Sequence, residues 1–373
     1  MRSPSAPYGK TLRGFLSTLV DQMQAQTLVS PYQDALGFWF GGGNLVQGAD
    51  GAIWLTGRYR NAGDSRTGLQ AGERGLECAL LRSDDGGRTF GRVCVWSKAD
   101  LSRDGREVIS VEGTSLHRRT DGDWELFISS EKALPYPEPL EHYRKPGTGV
   151  WTIDRMAGPS PDRLDPTTLE TVLQALDRPE FLHVKDPVVL DGAAGDTWML
   201  FCSHPYCWTS SNSGWAVRGA GQGQFHVRTW QVIPRGTTWD VAVARLTDRL
   251  SVPQTGLFAG QPPCAVYFYD GAECVRSHEQ NPLARKRPRG YSCEEIGGAA
   301  WGWDAGWPEL ERLSRLEPLF ISPWGTGASR YVHTLTSSEG ILATWEQSQA
   351  DGSQPLVGRW LPMSDVERIL SGE

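Results

Sequence analysis

A hairpin unit recurs roughly every 70 residues along this chain and limits the fold more than any other feature. Segments 41–60 (GGGNLVQGADGAIWLTGRYR), 111–131 (VEGTSLHRRTDGDWELFISSE) and 185–205 (KDPVVLDGAAGDTWMLFCSHP) each hold an apolar strand, a polar turn with Asp-Gly or Gly-Asp, and a second strand opened around a Trp. Their leading polar residues, Asn44, Glu112 and Asp186, are separated by 68 and 74 residues, and Trp54, Trp124 and Trp198 open the second strands. A fourth copy starts at 264–279 and a fifth at 329–347. Third strands are read at ECALLRS, GVWTIDRM, TWDVAVARL, EIGGAAW and PLVGRWL, and in the first four copies a further apolar stretch follows, such as GRVCVW or TGLFA. Short β-branched and aromatic runs divided by Gly, Pro, Asp and Asn mark strands, and a repeat of four antiparallel strands is a propeller blade. The chain therefore reads as all-β, a five-bladed β-propeller of four-stranded antiparallel blades over 37–373, with a β-sandwich or irregular all-β domain of look-alike hairpins as the alternative. Ahead of it, Leu12, Phe15, Leu16, Leu19, Val20 and Met23 recur at three- and four-residue steps, placing a short amphipathic helix in an N-terminal extension over 1–36.

Composition narrows the function. With 373 residues, 39% of them hydrophobic, the chain can bury a large core. Its formal charge of −7 gives no general attraction to nucleic acid or to an anionic membrane, so neither is expected as a partner. No apolar run approaches the roughly 20 residues of a membrane span. The first 20 residues carry no sustained apolar core of a secretory leader, which points to a cytoplasmic location. Seven scattered Cys, an odd count, read as buried thiols rather than a disulfide framework. Cys202, His204 and Cys207 lack a fourth ligand and clean spacing, so no metal is assigned. GAGQGQ at 219–224 lacks a strand-to-helix setting and YGKTL at 8–12 lacks the earlier Gly of a phosphate loop, so no cofactor is expected. The N-terminal helix packs on its own propeller or on a neighbour's, leaving a homo-oligomer open.

Antiparallel geometry puts the start of each inner strand, the end of the second and the start of the third at one end of the propeller. The long connections read at 60–76, 131–148, 205–237 and 279–291 all crown that end, and loops of such length in compact domains are usually functional. They offer Arg58, Arg60 and Asp64; Glu131 and His142; His204, Trp208 and Trp215; His278, Glu279, Arg289 and Tyr291. Glu112 and Asp186 open inner strands within apolar surroundings, where partial burial is expected to raise at least one pKa and suit it to acid catalysis. His183 and Lys185 flank Asp186, blade five offers Arg330, Tyr331 and His333 at the matching place, and one of Glu294 and Glu295 should point inward by strand alternation. The candidate catalytic set is Glu112, Asp186, Glu294, Glu295 and Asp64. The candidate substrate-binding set is Asn44, Arg58, His183, Lys185, His204, Trp208, His278, Arg289, Tyr291, Arg330 and His333. The basic run 284–289 reads as a solvated loop or a grip for phosphate or an acidic sugar.

SDDGGRTF at 83–90 fits the Asp-box pattern through Ser83, Asp85, Gly87, Thr89 and Phe90, and resembles the turn between third and fourth strands of sialidase-like propellers. KDPVVL with WMLFCS, and EGTSL with WELFIS, resemble inner strands of five-bladed glycoside hydrolases of families 43, 32, 117 and 130. The resemblance implies a glycosidase acting on a carbohydrate in a central funnel, with inner-strand acids as base or nucleophile, transition-state stabiliser and general acid. Carried over, Glu112 and Asp186 fit. Blade one departs from the pattern, with Asn44 where an Asp is expected, so Asp64, Glu294 or Glu295 supplies the third acid or the chemistry differs. Two alternatives stand beside hydrolysis: a non-catalytic carbohydrate-binding propeller, and a glycoside phosphorylase.

Overall fold

The computed structural model describes residues 6–61, 74–144, 146–192, 195–273 and 295–372. Its strands form five separate antiparallel sheets arranged as the blades of a propeller. Blade one combines a split inner strand (Trp39–Gly41 and Leu45–Gln47) with Ile53–Arg60, Gly75–Ser83 and Gly91–Ser97. Blade two runs Val108–Arg118, Trp124–Lys132, Val150–Gly158 and Asp165–Leu173. Blade three runs His183–Asp191, Thr197–His204, Asn212–Arg218 and His226–Thr229. Blade four runs Val243–Ser251, Cys264–Ala272, Ile296–Trp303 and the short Glu311–Arg312.

Blade five takes Ser329–Thr336, Gly340–Gln347 and Leu356–Pro362 from the end of the chain, and its outermost strand, Gln26–Val29, from the beginning. These four residues, read from the sequence as part of the N-terminal extension, pair with the third strand at Gln26↔Gly358 and Val29↔Leu356. Helix α1 (Ala6–Leu19) precedes them. Its stripe of Leu12, Phe15, Leu16 and Leu19 is fully buried. It packs with Val366 and Leu370 of helix α2 (Met363–Leu370) against Leu250, Phe258, Val332 and Trp345 of blades four and five. Each such side chain contributes about 1.5–3 kcal/mol when fully buried. Deleting residues 1–30 is therefore expected to abolish the cooperative unfolding transition, which circular dichroism in urea would detect; a retained sigmoidal transition would show the closing strand to be dispensable.

Blade three differs from the sequence reading. TWDVAVARL is not its third strand; that strand is Asn212–Arg218, and Val243–Ser251 is the inner strand of blade four. The run NSGWAVR looks like a loop because Asn, Ser and Gly open it, yet all seven of its residues pair with Thr197–Ser203. Four consequences follow. The connection after the second strand of blade three is 205–211 rather than 205–237, Trp215 lies in a strand, Cys264–Ala272 is the second strand of blade four, and TGLFA contains a 3₁₀ turn at Gly256–Phe258.

The segment 83–90 does link the third and fourth strands of blade one. Asp85 there accepts hydrogen bonds from Arg88 N and Thr89 N, both at 3.0 Å, and from the hydroxyls of Ser83 and Thr89.

One irregularity recurs in every blade. The inner strands lose register at the same level, between Val111 and Thr114, Lys185 and Val188, Leu246 and Asp248, and Arg330 and His333, while blade one's inner strand is interrupted outright. A bulge bends a strand and re-aims the side chains around it. At two of these bulges Asp186 and Tyr331 take positive φ values of 54° and 53°, a conformation that costs a non-glycine residue about 1–3 kcal/mol.

Candidate active site

The bulges deliver charged side chains to the propeller axis, where they close into a ring. Glu112 lies 3.6 Å from Lys185, Lys185 3.8 Å from Asp186, Asp186 3.2 Å from Arg245, and Arg245 3.6 Å from Glu295. From there Glu295 meets Arg330 at 2.8 Å, Arg330 meets Glu346 at 2.8 Å, Glu346 meets Arg58 at 2.6 Å, and Arg58 returns to Glu112 at 4.0 Å. Eight side chains from all five blades thus alternate in sign around one opening. Asp270 braces the ring from below, 2.8 Å from Arg245, and accepts the backbone N–H of Tyr331. The Tyr331 ring lies under three guanidiniums, with Arg245 at 4.1 Å and Arg58 and Arg330 at 5.6 Å from its centroid.

Access distinguishes the members. Glu112 and Glu295 side chains are 16% and 19% exposed, whereas Asp186 is 4% and Glu346 fully buried. On the ring, Glu295 stands four links from Glu112 by either route, so the two solvent-reaching carboxylates occupy opposite positions. The oxygens of Asp186 are committed to Gly113 N and Arg245. Among the described residues, the contacts of Glu112 to Lys185 and to Arg58 exceed hydrogen-bond length, and Nε and Nη2 of Arg58 are buried without a hydrogen-bond partner. Buried donors left this way cost about 1–3 kcal/mol each unless a ligand or water meets them.

At Glu112 the shift runs opposite to the rise expected from burial. Burial alone would push the Glu112 carboxyl up, but Lys185, Arg58, Arg60 and Arg330 outweigh it and hold the group well below the ordinary glutamate range. Two carboxyls that burial does raise are sealed in the interior. Burial pushes Asp270 up to about 7 against the pull of Arg245, and Glu131, paired with Arg74 at 2.6 Å, is also raised by burial. Replacing Lys185 with Met removes the strongest counter-charge acting on Glu112, so its pKa is expected to rise. A group depressed in the folded state contributes stability above its unfolded value and loses it as pH falls, so this variant should be less stable near neutrality and less pH-dependent in acid. A carbon-13 NMR titration of the Glu112 carboxyl would read the shift; an unmoved midpoint would contradict the assignment.

Blades two and three form an aromatic wall beside Glu112. Lys185 Nζ lies 5.4 Å from the Trp151 ring and 5.9 Å from Trp208, and Trp208 stacks on His183 with centroids 4.3 Å apart. Both histidines of the wall are neutral. Burial and Lys185 bring His183 down to about 3; its Nδ1 accepts from Trp151 N, which leaves Nε2–H for Tyr136. Burial likewise lowers His204, whose Nδ1 faces the Ser210 carbonyl at 2.9 Å. Among the described residues no group of three or more His, Cys, Asp or Glu is placed to hold a metal.

The structure thus brings together Glu112, Asp186, Glu295, Arg58, Lys185 and Arg330, with His183, His204 and Trp208 alongside. Asn44 and His333 lie lower on the axis and are spent on the scaffold. The Asn44 amide exchanges two hydrogen bonds with the backbone of Leu116, and His333 spans from Leu45 N to Asp248. Asp64, His278, Arg289, Tyr291 and Glu294 lie outside the described residues. Tyr331 was named beside Arg330 without a role, and three members of the site escaped the sequence reading: Arg245, Asp270 and Glu346. A signal existed for two of them, because Asp270 and Glu346 hold the second-strand positions that pair with Arg245 and Arg330 beside the bulge.

No family description and no curated protein matches this sequence. Solved structures do share the fold. A thermostable family-43 glycoside hydrolase superposes with a TM-score of 0.53 at 10% identity, covering 90% of this chain and 92% of its own. The GH43_1 enzyme of Xanthomonas citri, solved with xylose, gives 0.53 at 10% identity over 94% and 93%. The GH93 α-L-arabinofuranosidase of Fusarium graminearum, solved with arabinobiose, gives 0.51 at 11% identity over 92% and 98%. At such identities the likeness concerns the fold, a five-bladed propeller.

Proposed function

We propose that this protein is a glycoside hydrolase that cleaves a glycosidic bond in the axial funnel, with Glu112 and Glu295 as the working carboxylates. The observation that carries this reading is their placement, as the two solvent-reaching acids on opposite sides of a ring otherwise closed by buried charge. Glycosidic cleavage needs two carboxyl groups flanking the scissile bond. Glu112, held ionised, serves as nucleophile, water-activating base or stabiliser of the oxocarbenium-like transition state. Glu295 faces the leaving group. Asp186 and Lys185 position Glu112 rather than react, and Trp208 offers a flat face for a sugar ring. The shared fold with arabinose- and xylose-binding hydrolases makes pentosides the first substrates to try.

A second reading, a carbohydrate-binding propeller without turnover, draws on a specific feature: Asp270 and Glu131, two carboxyls raised by burial, are sealed from solvent, and blade one supplies an amide at Asn44. A panel of p-nitrophenyl pentosides and hexosides separates the two. Release of p-nitrophenol supports hydrolysis; calorimetric binding without release supports the second reading; neither would overturn both.

A further inference from the structure

The far end of the propeller carries another concavity. Inner strands start at the charge ring and run away from it, so the turns at 48–51 and 337–339 and the Asp85 turn at 86–88 all lie at the opposite end. Between blades five and one these turns border an open groove. Its apolar lining comes from Leu28, Ile53, Leu335 and Leu342, with Gly87 and Gly358. Three amides, Gln24, Gln26 and Gln47, line its rim with Trp360.

Trp360 is the informative residue. All 16 Trp of the chain lie in the described residues, and Trp360 alone is counted among the exposed large apolar side chains, at 39%. Gly340 lets the indole lie close over the backbone, since a Cβ there would come 3.0 Å from its ring. The charged groups of the rim balance: Arg88 and Arg359 against Glu339 and Asp365, with Arg359 already on Asp21 and Asp365 on Arg368. A neutral groove that pairs a flat aromatic face with amide donors and acceptors matches an uncharged polyol chain, whose C–H faces stack while its hydroxyls hydrogen-bond. A charged peptide or nucleic acid would find no complementary field there.

We propose that this groove is a second carbohydrate site, separate from the funnel, that holds a neutral oligosaccharide against Trp360. Isothermal titration of the full chain with xylohexaose and with arabinohexaose tests it, using wild type, Trp360→Ala, Gln47→Ala and Glu112→Gln. At least one hexasaccharide should bind wild type and Glu112→Gln alike, at least tenfold more weakly to Trp360→Ala and severalfold more weakly to Gln47→Ala. Gln47→Ala keeps the test decisive if the indole variant folds poorly. Binding unaffected by both groove variants, binding lost only in Glu112→Gln, or no binding of either sugar would overturn the proposal. Hydrolysis of the aryl glycosides is scored separately, so the funnel reading and the groove reading can each fail alone.

Discussion

Glu112→Gln and Glu295→Gln are each expected to lower kcat for a cleaved glycoside by about 10³-fold, equivalent to about 4 kcal/mol of lost transition-state stabilisation. The amide keeps the size of the side chain but removes its charge and its ability to exchange a proton. For Glu112 the loss is electrostatic. A carboxylate held ionised by Lys185 and Arg58 is the nearest negative charge a cationic transition state could use in that part of the funnel. Both groups reach solvent and neither is closed into the core, so the variants should fold as the wild type does. Matched unfolding curves with collapsed kcat and little change in KM would be the signature, because such a change removes interactions made only in the transition state. Retention of more than a tenth of the wild-type kcat in both would reject the assignment.

Glu346→Gln is expected to be the most destabilising single change in the site, by about 3–5 kcal/mol in urea unfolding, because it strips the counter-charge from a buried pair. Glu346 is fully buried and serves two guanidiniums at once, Arg58 at 2.6 Å and Arg330 at 2.8 Å. Replacing Arg58, Arg330 and Glu346 together by Met, Met and Leu should recover most of that stability, since a removed charge cluster leaves no ion stranded. A triple variant as unstable as the single one would show that shape rather than charge sets the cost. The single variant should also loosen Arg58 beside Glu112, so its kcat should fall along with its stability.

The blades were legible because their rule is local: a strand, a turn and a Trp recur at matching offsets in 41–60, 111–131 and 185–205. Blade three was misdrawn for the same reason. Asn212–Arg218 has polar, turn-prone residues, and only pairing with its neighbour makes it a strand. Glu112, Lys185, Asp186 and Arg330 were found because they open inner strands. Arg245 was hidden by the misplaced strand, and Tyr331, though noted beside Arg330, gave no hint of its position beneath three guanidiniums, because a bulge and a positive φ leave no pattern in an L-residue. The depressed pKa of Glu112 was out of reach too. Its apolar neighbours in sequence argue for a raised value, and the cations that reverse it come from 58, 60, 185 and 330.

The chain closes its circle with Gln26–Val29, and the charge ring draws on residues from Arg58 to Glu346. During synthesis, then, no partial product holds the complete charge ring. Until the last blade emerges, Arg58 has no partner at Glu346 and the outermost N-terminal strand has no edge to join. Contacts spanning 288 residues make assembly slow and leave strand edges uncovered meanwhile, so this molecule should depend on protection from aggregation while it is being made more than on any device once it is complete.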